Sequence, residues 1–282
     1  MDSNSKAKAL NSNSKAKALN SNFKAKALDS NSKAKALNSN SKAKALDSNS
    51  KAKALDSKPP KVFWSPKFIL ELVMKNMEKL PIVVLISGRG SNLKALIDAQ
   101  MSLVEIRAVI SNRSDAPGLH YAEEASISTE VLEHTQFKSR FEFDRALQNV
   151  LDGYRPKLVV LAGFMRILSS QFVAHYQGRL LNIHPSLLPA FKGLHTHKRA
   201  LEAGVKEHGV SVHFVTEDLD SGPVIIQARV PVLPDDDEGS LAARVLQQEH
   251  RIYPQAIQWF AEGRLQLQGK TVFLDGKPVV LA

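Results

Sequence analysis

Ile82-Val83-Val84-Leu85-Ile86-Ser87-Gly88-Arg89-Gly90-Ser91-Asn92-Leu93 decides the fold. Its opening run is apolar, mostly β-branched and free of polar alternation, which is how a strand buried on both faces reads. A glycine-rich turn follows, and Leu93 to Ala99 then reads as a helix. Strand, glycine turn and helix N-terminus in that order make an anion site, because free backbone N–H groups and the helix dipole favour phosphate. The same residues can also be read as a tight turn and nothing more. This is not a dinucleotide fingerprint: Leu93 holds the third glycine position, and the next strand, Ile106 to Ile110, leads to Ser111-Asn112 rather than to an acid. Nor is it a P-loop, since no Gly-Lys-Ser/Thr follows.

Downstream, apolar runs keep alternating with helical stretches. Pro117 to Ser126 reads as a helix, Thr129 to Leu132 as a short strand and Lys138 to Leu151 as a helix opened by Arg140. Leu158 to Ala162 is a central strand ending in Gly163-Phe164-Met165-Arg166-Ile167-Leu168, which is either a buried loop or an apolar shelf suited to a flat ring. Thr196 to Ala203 reads as a helix. Val210 to Val215 alternates and Val224 to Val230 is apolar, which suggests strands with one antiparallel pair. Pro234 to Glu238 reads as an exposed acidic loop. Ser240 reads as the cap of a long helix, Leu241 to Ala261, interrupted near Pro254. A terminal ladder, Leu265 to Leu267, Val272 to Leu274 and Val279 to Leu281, surrounds a turn at Asp275-Gly276. The expected fold is α/β: a doubly wound, mostly parallel sheet over residues 81–282.

Chemistry concentrates between Leu180 and Ile226. Leu180-Leu181-Asn182-Ile183-His184 is a short strand stopped by Pro185, and residues two apart on a strand point the same way. Glu217-Asp218-Leu219-Asp220-Ser221-Gly222-Pro223 delivers two acids from a turn. Asn, His and Asp brought together suit acyl transfer without a protein nucleophile: amide and imidazolium stabilise an oxyanion, and a carboxylate holds the imidazole. The plainer alternative is a turn-capping His184 and a solvated loop acid at Asp220. His195, His197 and His213 invite a metal reading, but no Cys or Glu stands with them at zinc-like spacing, so no metal is expected.

Charge is unevenly distributed. The whole chain is +10, yet residues 1–80 hold 17 Lys, no Arg and 6 acids, leaving 21 basic and 22 acidic residues beyond. The basic part is a tandem repeat: six nine-residue units of the form Asp/Asn-Ser-Asn-Ser-Lys-Ala-Lys-Ala-Leu fill Asp2 to Leu55, with Phe23 replacing Ser once. At about 100° per residue, a period of nine turns successive leucines by roughly 180°, so no continuous apolar stripe forms. One Leu and two Ala per unit do not offset roughly 1–2 kcal/mol of backbone entropy per residue. Residues 1–58 are therefore expected to be a disordered arm, and 59–80 a linker with a short amphipathic helix. No stretch is apolar enough to span a bilayer as a helix. The chain has no Cys, which fits a reducing compartment.

Asn182-Ile183-His184-Pro185-Ser186-Leu187-Leu188-Pro189, Gly193-Leu194-His195-Thr196-His197 and Asp218 to Pro223 together resemble the folate-dependent formyltransferase family, over about Ile82 to Val280. The resemblance implies a Rossmann-like formyltransferase fold in the cytoplasm. It implies transfer of a formyl group from 10-formyltetrahydrofolate, as co-substrate, to the amine of glycinamide ribonucleotide in purine biosynthesis. Catalysis would rest on Asn182, His184 and Asp220. Gly90, Ser91, Asn92 and Glu249 would hold the ribonucleotide. Arg140, Met165, Arg166, Ile167, Leu168, Asn182, Thr216, Glu217, Asp218, Leu219 and Asp220 would hold the folate. Both partners are then small molecules, and the domain needs no membrane and no specific nucleic acid. Two other readings compete: a deformylase that hydrolyses the same donor, and a non-catalytic protein that binds polyanions through the basic arm.

Overall fold

The computed structural model describes residues 79–280. The predicted arm, the linker helix and the last residues of the predicted terminal ladder lie outside them. From Leu80 the chain alternates as the sequence pattern requires. β1 is Leu80–Ile86, α1 Ser91–Asp98, β2 Val104–Ser111, α2 Leu119–Glu124 and β3 Ser128–Val131. After a short 3-10 turn come α3 (Arg140–Tyr154), β4 (Leu158–Leu161), α4 (Ser170–His175), β5 (Leu180–His184) and α5 (Thr196–Glu202). β6 (Glu207–Phe214), β7 (Val224–Pro231) and α6 (Glu238–Ala261) follow, and β8 (Leu265–Gln268), β9 (Thr271–Leu274) and β10 (Lys277–Pro278) close the chain.

Seven strands form the main sheet in the order β3-β2-β1-β4-β5-β6-β7. β1 to β5 are parallel; β6 pairs antiparallel with β5 and with β7, two antiparallel pairs rather than the one expected. β1 shows why its run has no alternation. Ile82, Val84 and Ile86 enter a core with α1, α2 and α6, whereas Val83 and Leu85 enter a second core with α3 and α4. Both faces are covered, so every residue must be apolar. The order of strands reverses between β1 and β4, and in open α/β sheets the crevice outside the carboxyl ends of the strands at such a point is where ligands bind.

Three local expectations need correction. β6 does alternate in residue type, but Ser211 and His213 are as buried as Val210 and Val212. Their face is covered by the loop after β5 and by the Asp220 turn rather than by water. The cap of α6 is Asp237, not Ser240: Asp237 accepts from the Ser240 N–H at 2.7 Å while Ser240 Oγ accepts from the Asp237 N–H at 3.0 Å. The acidic loop is thus partly a cap, and Asp236, its side chain only 3% exposed, pairs with Arg244. Pro254 does not interrupt α6. A proline inside a helix costs about 3 kcal/mol, but burying an Ile side chain returns about 1.5–3 kcal/mol, and fully buried Ile252 and Ile257 flank it.

Candidate active site

β5 carries Asn182 and His184 to the crevice on one face of the strand, and the antiparallel register sets Asn182 opposite His213 and His184 opposite Ser211. The Asp220 turn closes from the other side. Asp220 sits at φ +46, and Gly222 is needed there because a Cβ would lie 1.7 Å from the Phe214 carbonyl oxygen. Asp220 Oδ2 stands 3.4 Å from His184 Nδ1 and accepts the Gly193 N–H at 2.9 Å. His184 Nε2 is 3.0 Å from the Phe191 carbonyl. A carbonyl and a carboxylate only accept, so a proton on either ring nitrogen meets an acceptor.

His213 belongs to this cluster although its residue type and spacing suggested only a discarded metal ligand. Its Nδ1 donates to the Phe214 carbonyl at 2.9 Å, and its Nε2 lies 3.3 Å from Asn182 Nδ2. Burial pushes its pKa down, outweighing the Phe214 carbonyl and Asp220, which pull it up. A neutral ring leaves Nε2 as an acceptor, so His213 takes one Asn182 amide proton and leaves the other to serve a further acceptor. The 3.8 Å separation of His213 Nε2 from Asp220 Oδ1 is then no ion pair. The loop after β5 is pinned as well: Ser211 Oγ donates to the Ser186 carbonyl and accepts the Leu188 N–H, and Gln227 Nε2 donates to the Leu188 carbonyl.

The glycine turn after β1 is built for close backbone approach. Gly90 has φ +73, and a Cβ there would lie 2.5 Å from Gly118 Cα. No side chain caps α1, so its first N–H groups are left for an acceptor from outside the helix. Asn92 Nδ2 donates to Glu249 Oε2 at 2.6 Å, joining residues 157 apart in sequence. Glu249 is 8% exposed on the buried stripe of α6, and burial raises its pKa. A carboxyl at a stripe position that should be apolar was a signal available in the sequence.

Several large apolar side chains on the segment after β4, at the start of α3 and before Asp220 are exposed. Met165 and Ile167 are 71% and 59% exposed, and Leu219 and Phe141 are 53% and 55%. Arg166 lies 5.2 Å over the Phe143 ring, with its buried Nε unpartnered, and Leu168 is partly buried. Arg140 opens α3, its guanidinium 5.8 Å from the Phe141 ring centroid. Thr216, Glu217 and Asp218 are exposed on the turn that ends in Asp220. A cleft of about 340 Å³ between α3 and α4, beside Phe141, Asp144 and Ser169, lies apart from the Asn182 cluster. His195, His197 and His213 go separate ways: His195 is exposed before α5, His197 packs edge-on to His208, and His213 faces Asn182. Among the described residues no group of three His, Asp or Glu is placed to hold a metal ion.

The sequence pattern of the formyl transferase family matches residues 80–257, more than half of the chain. The chain belongs to the formyl transferase family. It is 58% identical over 199 residues to the phosphoribosylglycinamide formyltransferase of Escherichia coli, covering 70% of this chain and 94% of that one. It is 50% identical over 193 residues to the human trifunctional purine biosynthetic protein adenosine-3, covering 67% of this chain and 19% of that one. The solved structure of the phosphoribosylglycinamide formyltransferase from Coxiella burnetii superposes with a TM-score of 0.70 at 57% identity, over 72% of this chain and 97% of that one. Among the described residues no helix is long and apolar enough to cross a membrane.

Proposed function

We propose that this formyl transferase moves a formyl group from 10-formyltetrahydrofolate to the amine of glycinamide ribonucleotide. One observation carries the reading: buried His184 and Asp220, with half-buried Asn182 joined to them through His213, stand on the same sheet edge as an uncapped, glycine-led helix N-terminus. The relatives named above for this reaction match over nearly their full length where they are single-function proteins.

In this reading the ribonucleotide phosphate rests on the N–H groups at Gly90, Ser91 and Asn92, with Glu249 holding the sugar end of the acceptor. The folate ring lies against Met165, Arg166, Ile167, Leu168 and the Thr216–Asp220 turn, with Arg140 at its outer end. Exposed apolar side chains suit a flat ring there. The amine attacks the formyl carbon directly, with no acyl-enzyme. The oxyanion receives the free Asn182 amide proton and a proton-bearing His184, while Asp220 holds the imidazole. The nitrogen–formyl bond of the donor then breaks. The amine loses one proton and the departing folate nitrogen gains one, relayed by water beside Asp220.

The test is turnover by the purified protein with both substrates, then with each omitted. Formyl glycinamide ribonucleotide formed only when both are present is expected. Donor consumed at the same rate without acceptor would assign a deformylase instead. Turnover absent under all conditions, with salt-sensitive polyanion binding, would favour the non-catalytic reading.

A further inference from the structure

Ser87, the residue between β1 and the glycine turn, has no part in the chemistry above. It is 7% exposed, and its hydroxyl is doubly engaged: Oγ donates to Asn112 Oδ1 at 2.5 Å and accepts the Met165 N–H at 2.8 Å. Asn112 follows β2 and is 2% exposed. Its amide nitrogen lies 3.1 Å from His134 Nδ1.

The place of this hydroxyl in the sheet gives it meaning. β1 and β4 are hydrogen-bonded neighbours as far as the Ala162 N–H, which donates to the Leu85 carbonyl at 2.9 Å. Beyond it the two chains part, one into the glycine turn and the other into the Gly163–Leu168 segment. Where the backbone ladder ends, Ser87 Oγ supplies the next rung by taking the Met165 N–H. Gly88, the next residue, is tied in turn, its carbonyl accepting the Gly118 N–H at 3.0 Å. A single buried hydroxyl thus joins the start of the anion turn to the backbone of the apolar shelf.

We propose that Ser87 is a positioning residue that fixes the acceptor-binding turn and the folate-binding segment at one separation. The inference rests on the function proposed above. Direct transfer has no covalent intermediate to carry the group across, so amine and formyl carbon must be held at attack distance by the two surfaces alone. An ångström of misplacement costs up to about 10²-fold in rate. Loss of the hydroxyl leaves each surface able to bind its own ligand but frees their spacing. The signature is therefore a fall in kcat with little change in either KM.

The experiment compares the full-length chain with Ser87→Ala. We expect kcat to fall about tenfold, with KM for glycinamide ribonucleotide and for 10-formyltetrahydrofolate each within about threefold. Amide hydrogen exchange, which needs no turnover, should speed up about tenfold or more at Met165. It should stay unchanged at Ala162, whose partner is the Leu85 carbonyl. Unchanged kcat, or equal acceleration at Met165 and Ala162, would overturn the proposal, the latter by showing general loosening. If Ser87→Ala does not fold, Ser87→Cys, whose thiol is a much weaker donor and acceptor, should show the same pattern at smaller size: a fall in kcat with both KM values kept, and faster exchange at Met165 than at Ala162. Absence of that pattern overturns the proposal. Failure of the wild-type chain to turn over would instead overturn the proposed function, whatever the exchange data show.

Discussion

β1 and β5 run in one direction within one sheet and end at one edge, yet they hand the chain to opposite kinds of chemistry. After β1 the groups that the proposed function uses are backbone N–H donors, and side chains must keep clear: Gly90 packs against Gly118. After β5 the useful groups are side chains, and each needs a partner from elsewhere: His184 needs Asp220, and Asn182 needs His213. The first surface is vulnerable to an added atom, the second to a removed one. Mutations should separate the two.

The largest effect belongs to β5. His184→Ala and Asp220→Asn should each lower kcat by roughly 10²–10⁴-fold, the usual worth of a positioned acid or base. The double variant should fall little further, because the pair acts as a unit. A folate analogue, followed by titration, should still bind. Single losses that multiply would break the comparison by making Asp220 an independent loop acid.

Next comes β1. Gly90→Val should raise KM for the ribonucleotide roughly 10–100-fold and change kcat less, since an added side chain blocks the approach of phosphate to N–H groups. Some thermal stability should go with it: φ +73 suits glycine, and the Gly118 backbone is in the way. Equal loss of folate binding, measured by titration, would place the anion elsewhere.

A smaller loss should follow His213→Ala, on the order of tenfold in kcat, the range for a group that orients another rather than touching the reacting atoms. Asn182→Ala combined with it should add little to Asn182→Ala alone, as the double-mutant cycle would show. Full additivity would detach His213 from the amide.

Last is acid stability, with little effect on turnover at neutral pH. Burial and the neighbouring His197 push the pKa of His208 down to about 4, and burial lowers His197 and His213 as well. Between about pH 6.5 and that value the unfolded chain binds protons that the folded chain refuses, so stability rises with pH in this window and falls on acidification. His208→Phe should flatten the slope of urea midpoint against pH. An unchanged slope would assign the sensitivity to other groups.

What the sequence revealed divides along the same line. The β1 strand, its glycine turn and the alternation of elements were legible because each is a local signal: burial on both faces, a backbone that needs glycine, a period. Asn182 and His184 were legible as a pair on one strand face, but the turn offered Asp218 and Asp220 alike, and only the joint motif chose Asp220. His213 was missed because its place depends on which residue of β6 lies opposite Asn182, and register between strands separated by a long connection leaves no local trace. Asp237 and Ser240 were misassigned by three positions because both are good cap residues and only geometry decides which one leads. Pro254 misled because a local preference lost to burial supplied by the rest of the fold.

The contact between Asn92 on α1 and Glu249 on α6 also has a consequence in time. A ribosome releases the two residues 157 positions apart, so the first is synthesised well before its partner exists. Early strands can pair through short-range contacts as they emerge, but on the function proposed above the acceptor half of the site must wait for α6 to dock. Nascent chains halted before Glu249 would carry an unfinished pocket, and the ability to hold substrate would arrive late and all at once.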